Sequence, residues 1–161
     1  MSLTMGLLFS CSKETTNDAD NGSGSEYVDL GLPSGTKWKI RNEHNSIDSE
    51  YGFFTYDEVL AIYHDKLPSD LQFKELKNNC QWEWIGNGYK VIGANNNYIL
   101  LPAVGFRTCD MEIGGEHFDG SYWSSTSVEA SNAIALDLSQ EGVAMNTYCK
   151  CMGYSIRLVK K

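Results

Sequence analysis

Near residue 80 the hydrophobic period of this chain changes, and that change limits the fold more than any other feature. Upstream stand two capping boxes, Thr55-Tyr56-Asp57-Glu58 and Ser69-Asp70-Leu71-Gln72. In each, a hydroxyl and a Glu or Gln three residues later satisfy one another's backbone N–H groups and start a helix. Val59, Leu60, Ile62 and Tyr63 give the first helix an apolar side. It is expected to end near Asp65, because Pro68 disfavours helical geometry at Leu67. Leu71, Phe73 and Leu76 carry the second helix to about Asn79, with Leu76 and Cys80 as an i,i+4 pair. From Trp82 onward the pattern is one of short strands and turns. Two helices followed by a run of strands predict an α+β class rather than an alternating parallel fold.

The strand segments read in order. Residues 26–32 alternate, with Val28, Leu30 and Leu32 on one face. Pro33-Ser34-Gly35 turns the chain, and residues 36–41 alternate again with Trp38 and Ile40 inward, so the two form a hairpin. Residues 42–50 are polar and read as loop. Trp82 and Trp84 alternate with Gln81, Glu83 and Ile85. Residues 89–92 and 98–101 form a second hairpin around Asn95-Asn96-Asn97, and residues 104–107 continue extended. Residues 108–120 read as a long acidic loop. Residues 133–138 place Ile134, Leu136 and Leu138 together. Residues 142–148 and 154–159 complete the sheet.

The chain is organised around Tyr122-Trp123-Ser124-Ser125-Thr126 and Gly153-Tyr154-Ser155-Ile156-Arg157-Leu158-Val159, which are expected to pair in one sheet. Trp38 and Trp123 are assigned to the core, with Ser124 and Ser125 satisfying backbone groups. Arg157 faces opposite Ile156 and Leu158 and is expected to form a structural ion pair with Asp137 or a nearby acid.

At 161 residues the chain has room for one domain plus a tail. Its 13 basic and 21 acidic residues give a net charge of −8, which argues against nucleic-acid binding and against charge-driven adhesion to an anionic membrane. Residues 1–25 divide from the domain at 26–161. Leu7-Leu8-Phe9-Ser10-Cys11 resembles the lipobox of bacterial lipoproteins, which makes Cys11 the lipidation site. The Ser/Thr/Asn/Asp/Gly run after it is a flexible tether. The apolar run is short and no basic residue precedes it, so it reads as a signal remnant: either the true start lies upstream, or Met1-Ser2-Leu3 is an added leader on a trimmed signal, the plain alternative being an ordinary N-terminus with a stray cysteine. The address this implies is the cell envelope, as an outer-membrane lipoprotein exposed at the surface.

Several motifs then occur in one order. They are residues 26–38 (Glu-Tyr-Val-Asp-Leu-Gly-Leu-Pro-Ser-Gly-Thr-Lys-Trp), residues 66–76 around Leu67-Pro68, and Cys80-Gln81-Trp82-Glu83-Trp84. Residues 101–107 (Leu-Pro-Ala-Val-Gly-Phe-Arg), residues 122–126 and residues 153–158 follow. Together they resemble the Fibrobacter succinogenes major paralogous domain family over residues 26–159. The resemblance implies a C-type-lectin-like fold, related to the formylglycine-generating-enzyme branch, with two short helices packed on small, twisted antiparallel β-sheets. It also implies a cell-envelope lipoprotein of a gut anaerobe. Many relatives carry a long Trp/Gly-rich insertion where this chain has only residues 42–66.

Outside the cytoplasm, Cys80, Cys109, Cys149 and Cys151 allow three disulfide pairings. A bridge from Cys109 to Cys149 or Cys151 would tie the acidic loop to the segment before Gly153. The alternative is free buried thiols, Cys80 first among them. Cys149 and Cys151 as a copper-holding oxidase pair are a remote reading, since no other motif of those enzymes is present. Cys-x-Cys with His117 lacks zinc spacing, so no metal site is assigned. Asp110, Glu112, Glu116 and Asp119 offer oxygen ligands for calcium, against a plain reading as a solvated acidic loop, and no cofactor is assigned. Trp82 and Trp84, with Tyr89, Tyr98 and Trp123, are candidates for a sugar-stacking platform or for core. No catalytic residue is assigned, because His44, His64 and His117 have no Ser or Cys partner at motif spacing and no nucleophile elbow or phosphate loop occurs. The expected role is non-catalytic recognition of a glycan or surface protein, or alternatively a structural part of the envelope.

Overall fold

A computed structural model of the chain describes residues 25–44 and 52–161. The elements in order are β1 (Tyr27–Asp29), β2 (Lys37–Lys39), α1 (Tyr56–Tyr63), a 3₁₀ turn (His64–Lys66), α2 (Asp70–Asn79), β3 (Gln81–Trp84), β4 (Gly88–Ile92) and β5 (Tyr98–Pro102). They continue with β6 (Phe106–Arg107), β7 (Ile113–Gly114), β8 (Asp119–Ser127), β9 (Asn132–Ser139), β10 (Gly142–Cys149) and β11 (Val159–Lys160). All strand pairs are antiparallel, in sheets ordered β1-β2-β11, β3-β4-β5, β6-β7 and β10-β9-β8. The class is therefore α+β: two short helices with small antiparallel sheets.

Both helices start at the expected caps. The Thr55 N–H donates to Glu58 Oε2 at 2.7 Å, and the Gln72 N–H donates to Ser69 Oγ at 3.2 Å. Leu67 is extended (φ −77°, ψ 131°), as a residue before proline prefers. Each helix covers its own core. α2 brings Phe73 and Leu76 to Trp38, with Val91, Leu101, Tyr122, Leu136 and Leu138. α1 brings Tyr56 and Val59 to Trp123, with Ala133, Ala135, Tyr154, Ile156 and Leu158. The neighbours Tyr122 and Trp123 point to opposite faces of β8, so each belongs to a different core. Every large apolar side chain buried this way contributes roughly 1.5–3 kcal/mol.

Several expectations need correction. Ile40 is not inward: it is 43% exposed, because β2 ends at Lys39 and the alternation stops there. Ile62 and Leu71 are also exposed, since each helix buries only a narrow stripe, Tyr56/Val59 and Phe73/Leu76. Ile134 shares its face with Leu136 and Leu138, as the alternation requires, but it is only half-buried. β9 is covered on both faces, one by Ala133 and Ala135, the other by the two leucines. Residues 108–120 are not one loop, because β7 folds back on β6 and Asp119 already belongs to β8.

The largest correction concerns residues 153–159. They do not form one strand in the sheet of residues 122–126. Residues 153–159 are all buried, and they exchange backbone hydrogen bonds with a succession of partners. Gly153 pairs with Arg107 (2.7 and 2.8 Å), Tyr154 with Phe54 (2.9 and 3.0 Å), and Ser155 with Ser121 and Trp123 (3.0 and 3.1 Å). Beyond these, the Glu43 N–H donates to Ile156 O, the Lys39 N–H donates to Leu158 O, and Val159 pairs with Trp38. The segment is a seam joining separate sheets. Its contact with β8 is one isolated parallel bridge, Tyr122 to Ser155.

Arg157 is 1% exposed within this seam and is not paired with Asp137. Its Nε donates to Asn42 Oδ1 (2.9 Å), Nη1 to the carbonyls of Lys39 (2.8 Å) and Ile40, and Nη2 to the carbonyl of Leu100 (2.6 Å). Burial pushes its pKa down to about 10, which leaves it a cation at neutral pH. Neutral dipoles from the end of β2 and the edge strand β5 do the work expected of a carboxylate.

Candidate functional site

The strands β8, β9 and β10 are the longest in the fold, and one face of their sheet is divided. On β8 the residues of this face are Asp119, Ser121 and Trp123, which stand opposite Ser139, Asp137 and Ala135 on β9. Ser139 and Asp137 in turn stand opposite Gly142 and Ala144 on β10, and Asn146 and Tyr148 follow at the same period. At the Trp123 end the face is core: the Trp123 ring lies 4.5 Å from Tyr154, and its Nε1 donates to Phe54 O at 2.9 Å. At the other end it opens into a groove of about 580 Å³, lined by Phe106, Asp119, Ser121, Asp137, Ser139, Glu141, Asn146 and Tyr148 among others. Tyr148 stands at the border, its ring edge-on to Tyr154 at 5.3 Å.

Asp137 is the centre of the groove. Its Oδ1 accepts from Ser121 Oγ at 2.8 Å, and its Oδ2 accepts from Asn146 Nδ2 at 2.8 Å and Tyr148 Oη at 2.5 Å. Three donors from two flanking strands fix the carboxylate in place. Burial, and then the bond to Asp137, push the Tyr148 pKa up to about 12. At neutral pH this phenol is a donor, not a base. Two glycines allow close packing next to groove residues. Gly115 has φ +71°, and a Cβ there would meet Asp119 Cβ at 3.0 Å and Phe106 Cε1 at 3.1 Å. A Cβ at Gly120 would lie 2.9 Å from Leu138 Cδ1 and 3.0 Å from Ala103 Cα.

Of the expected site residues, only Asp119 lines this groove. Asp110, Glu112 and Glu116 lie elsewhere on the 108–118 segment. Among the described residues these acids and Asp119 do not converge to ion-sharing distance. Trp82 and Trp84 are half-buried and pack edge-on against Tyr89, at 5.5 and 5.1 Å between ring centres. Tyr89 is itself buried, with its Oη donating to Ser139 O at 2.9 Å. Trp123 is core, and Lys90 Nζ sits 4.4 Å over the Tyr98 ring. These aromatics do not form one exposed platform. Trp38 is fully buried against Phe73.

Cys109 is bonded to Cys151, with Cα atoms 5.0 Å apart, while Cys80 and Cys149 are free. Cys149 and Cys151 are thus not a pair of free thiols. Burial, helped by Glu75, pushes the Cys80 thiol up to about 11. Cys11 lies outside the described residues. Among those residues no helix is long and apolar enough to cross a membrane.

The groove residues Asp137, Asn146, Tyr148, Glu141 and Phe106 were not singled out as a site by the motifs. The available signal was the polar alternation of residues 142–148 set beside that of residues 119–121 and 137–139, which requires the cross-strand register. The features above define an α+β domain with a polar and aromatic groove on its longest-stranded sheet. Compared with known proteins, the chain matches no family model, no curated protein and no solved structure.

Proposed function

We propose that this domain is the non-catalytic binding module of a lipid-tethered cell-envelope protein, and that it takes carbohydrate in the β8–β10 groove. The observation that carries the reading is Asp137. A carboxylate held rigid by Ser121, Asn146 and Tyr148 shares the groove lining with two aromatic side chains, Phe106 and Tyr148. Sugar hydroxyls need fixed acceptors and donors, and sugar C–H faces need apolar ring surface. This arrangement supplies both in one place. Asp119 and Glu141 add negative charge to the groove, which favours neutral or amino sugars over uronic acids. The resemblance to the major paralogous domain family and its C-type-lectin-like fold supports the same reading, as does the lipobox-like Cys11 with its polar tether.

The test is a glycan array followed by calorimetry on the hits. Asp137→Asn and Tyr148→Phe should each weaken a bound glycan at least about tenfold, the loss of one good polar contact. Binding that is unchanged in both variants would reject the groove. Loss of membrane association in Cys11→Ala would support the tether.

A second reading is assembly with a protein. The 108–118 segment beside the groove exposes Met111, Ile113 and Phe118, the last at 75%. Apolar side chains on one short segment are a feature of contact surfaces. Co-purification of a defined partner, lost on Phe118→Ser, would favour it.

A further inference from the structure

Three sulfurs meet at one corner of the molecule, outside the groove. Cys109, in the turn after β6, is bonded to Cys151, in the turn after β10. Cys149, the last residue of β10, is a free thiol with its Sγ 2.8 Å from Cys151 Sγ. All three sulfurs lie within 4.8 Å of one another, and all three residues are exposed. Met152 Sδ stands 3.8 Å from Cys109 Sγ. A structural disulfide needs no third cysteine, and a bystander thiol has no reason to touch one.

We propose that this corner is a thiol–disulfide exchange centre, in which Cys149 opens the Cys109–Cys151 bond and external thiols or disulfides can enter. Exchange proceeds by attack of a thiolate on a disulfide sulfur, and its rate depends on access and on which sulfur is reached. The nearest target is Cys151. Cys149 loses its proton to solvent and its sulfur bonds to Cys151 Sγ. The Cys109–Cys151 bond breaks, and Cys109 leaves as a thiolate that takes up a proton. One disulfide and one thiol are present before and after, so no oxidant or reductant is consumed. Attack on Cys109 instead would give a Cys109–Cys149 bond and free Cys151.

The two products differ in what they hold. A Cys109–Cys149 bond still staples the 108–118 segment to the end of β10. A Cys149–Cys151 bond closes within one turn and releases that staple, leaving the Arg107–Gly153 backbone pair as the adjacent tie. Exchange therefore sets how firmly the segment carrying Met111, Ile113 and Phe118 is held.

Lys150 lies between the two cysteines, so trypsin separates them and the bonds can be mapped. The oxidised full chain is labelled slowly with iodoacetamide at neutral pH, quenched in acid at intervals, digested without reduction and analysed by mass. Label is expected first on Cys149 and then on Cys109 or Cys151, reaching about a tenth or more of molecules. Cys149→Ser should leave the Cys109–Cys151 bond intact, with no label on either partner and an unchanged far-ultraviolet spectrum. Label that, among these three cysteines, stays confined to Cys149 at all times in the unsubstituted chain would overturn the proposal. So would equal labelling of Cys109 or Cys151 in Cys149→Ser. Glycan binding is not a readout of this experiment, so its result is independent of the groove.

Discussion

Arg157 and Asp137 are two charges handled by the same means in different places. Arg157 is buried in the seam, where Asn42 and three main-chain carbonyls surround it. Asp137 sits on an open face, where a serine, an asparagine and a tyrosine surround it. Neither relies on a direct partner of opposite charge. The cation ties the end of β2 to β5 and to residues 153–159, so its hydrogen bonds are part of the fold. The anion ties neighbouring strands that already share a ladder, so its hydrogen bonds mainly set the shape of a surface. The contrast teaches that neutral dipoles suffice to hold a charge, and that burial decides whether the result is stability or a site.

The sharpest way to break the comparison is Arg157→Met. It leaves the carbonyls of Lys39, Ile40 and Leu100 and the Asn42 amide oxygen without their donors. The expected loss is about 3–5 kcal/mol in urea unfolding, since each buried acceptor left unpaired costs about 1–3 kcal/mol and not all are wholly sealed from water. Asp137→Asn should cost only about 1–2 kcal/mol by the same measurement, because its groups reach solvent through the groove. If the two losses are equal, the distinction between seam and surface fails.

The titration of Tyr148 sharpens it further. Its folded pKa is raised from the ordinary 10.0 to about 12. Between those values the folded state keeps a proton that the unfolded state has lost. The associated stability is full below pH 10 and is lost as pH rises toward 12. Phenolate absorbance should show one tyrosine ionising earlier in Asp137→Asn, and Tyr148→Phe should remove this part of the alkaline loss. The smallest effect is expected from Ser121→Ala, about 0.5–1 kcal/mol, since the Asp137 carboxylate keeps its two donors from β10.

What could be read from the sequence was local. The hairpin of β1 and β2, the caps at Thr55 and Ser69 and the hairpin of β4 and β5 each rest on residues within a few positions of one another. The groove does not. Asp119, Ser139 and Gly142 meet only because β8, β9 and β10 pair in one register, as do Ser121, Asp137 and Ala144. Polar residues at period two are common, and nothing in them says which strands will be neighbours. The acids of residues 110–116 were conspicuous as a run, yet a run of charges on a turn has no convergent geometry. The partners of Arg157 were hidden for a different reason: they are mostly carbonyl oxygens, which every residue carries. An alternating apolar run at residues 154–159 looked like a strand, but burial on all sides requires several partners instead of one sheet.

Residues 153–159 have a consequence for the order in which this domain can form. They bind groups as distant as Lys39, 118 positions before Arg157, along with Phe54, Arg107 and Ser121. On a ribosome, everything upstream must wait for them. Until they emerge, β2 has only β1 beside it and the Trp123 cluster lacks Tyr154, Ile156 and Leu158. Closing such long loops is slow, so the nascent chain stays pliable until the last tenth of the domain has been made.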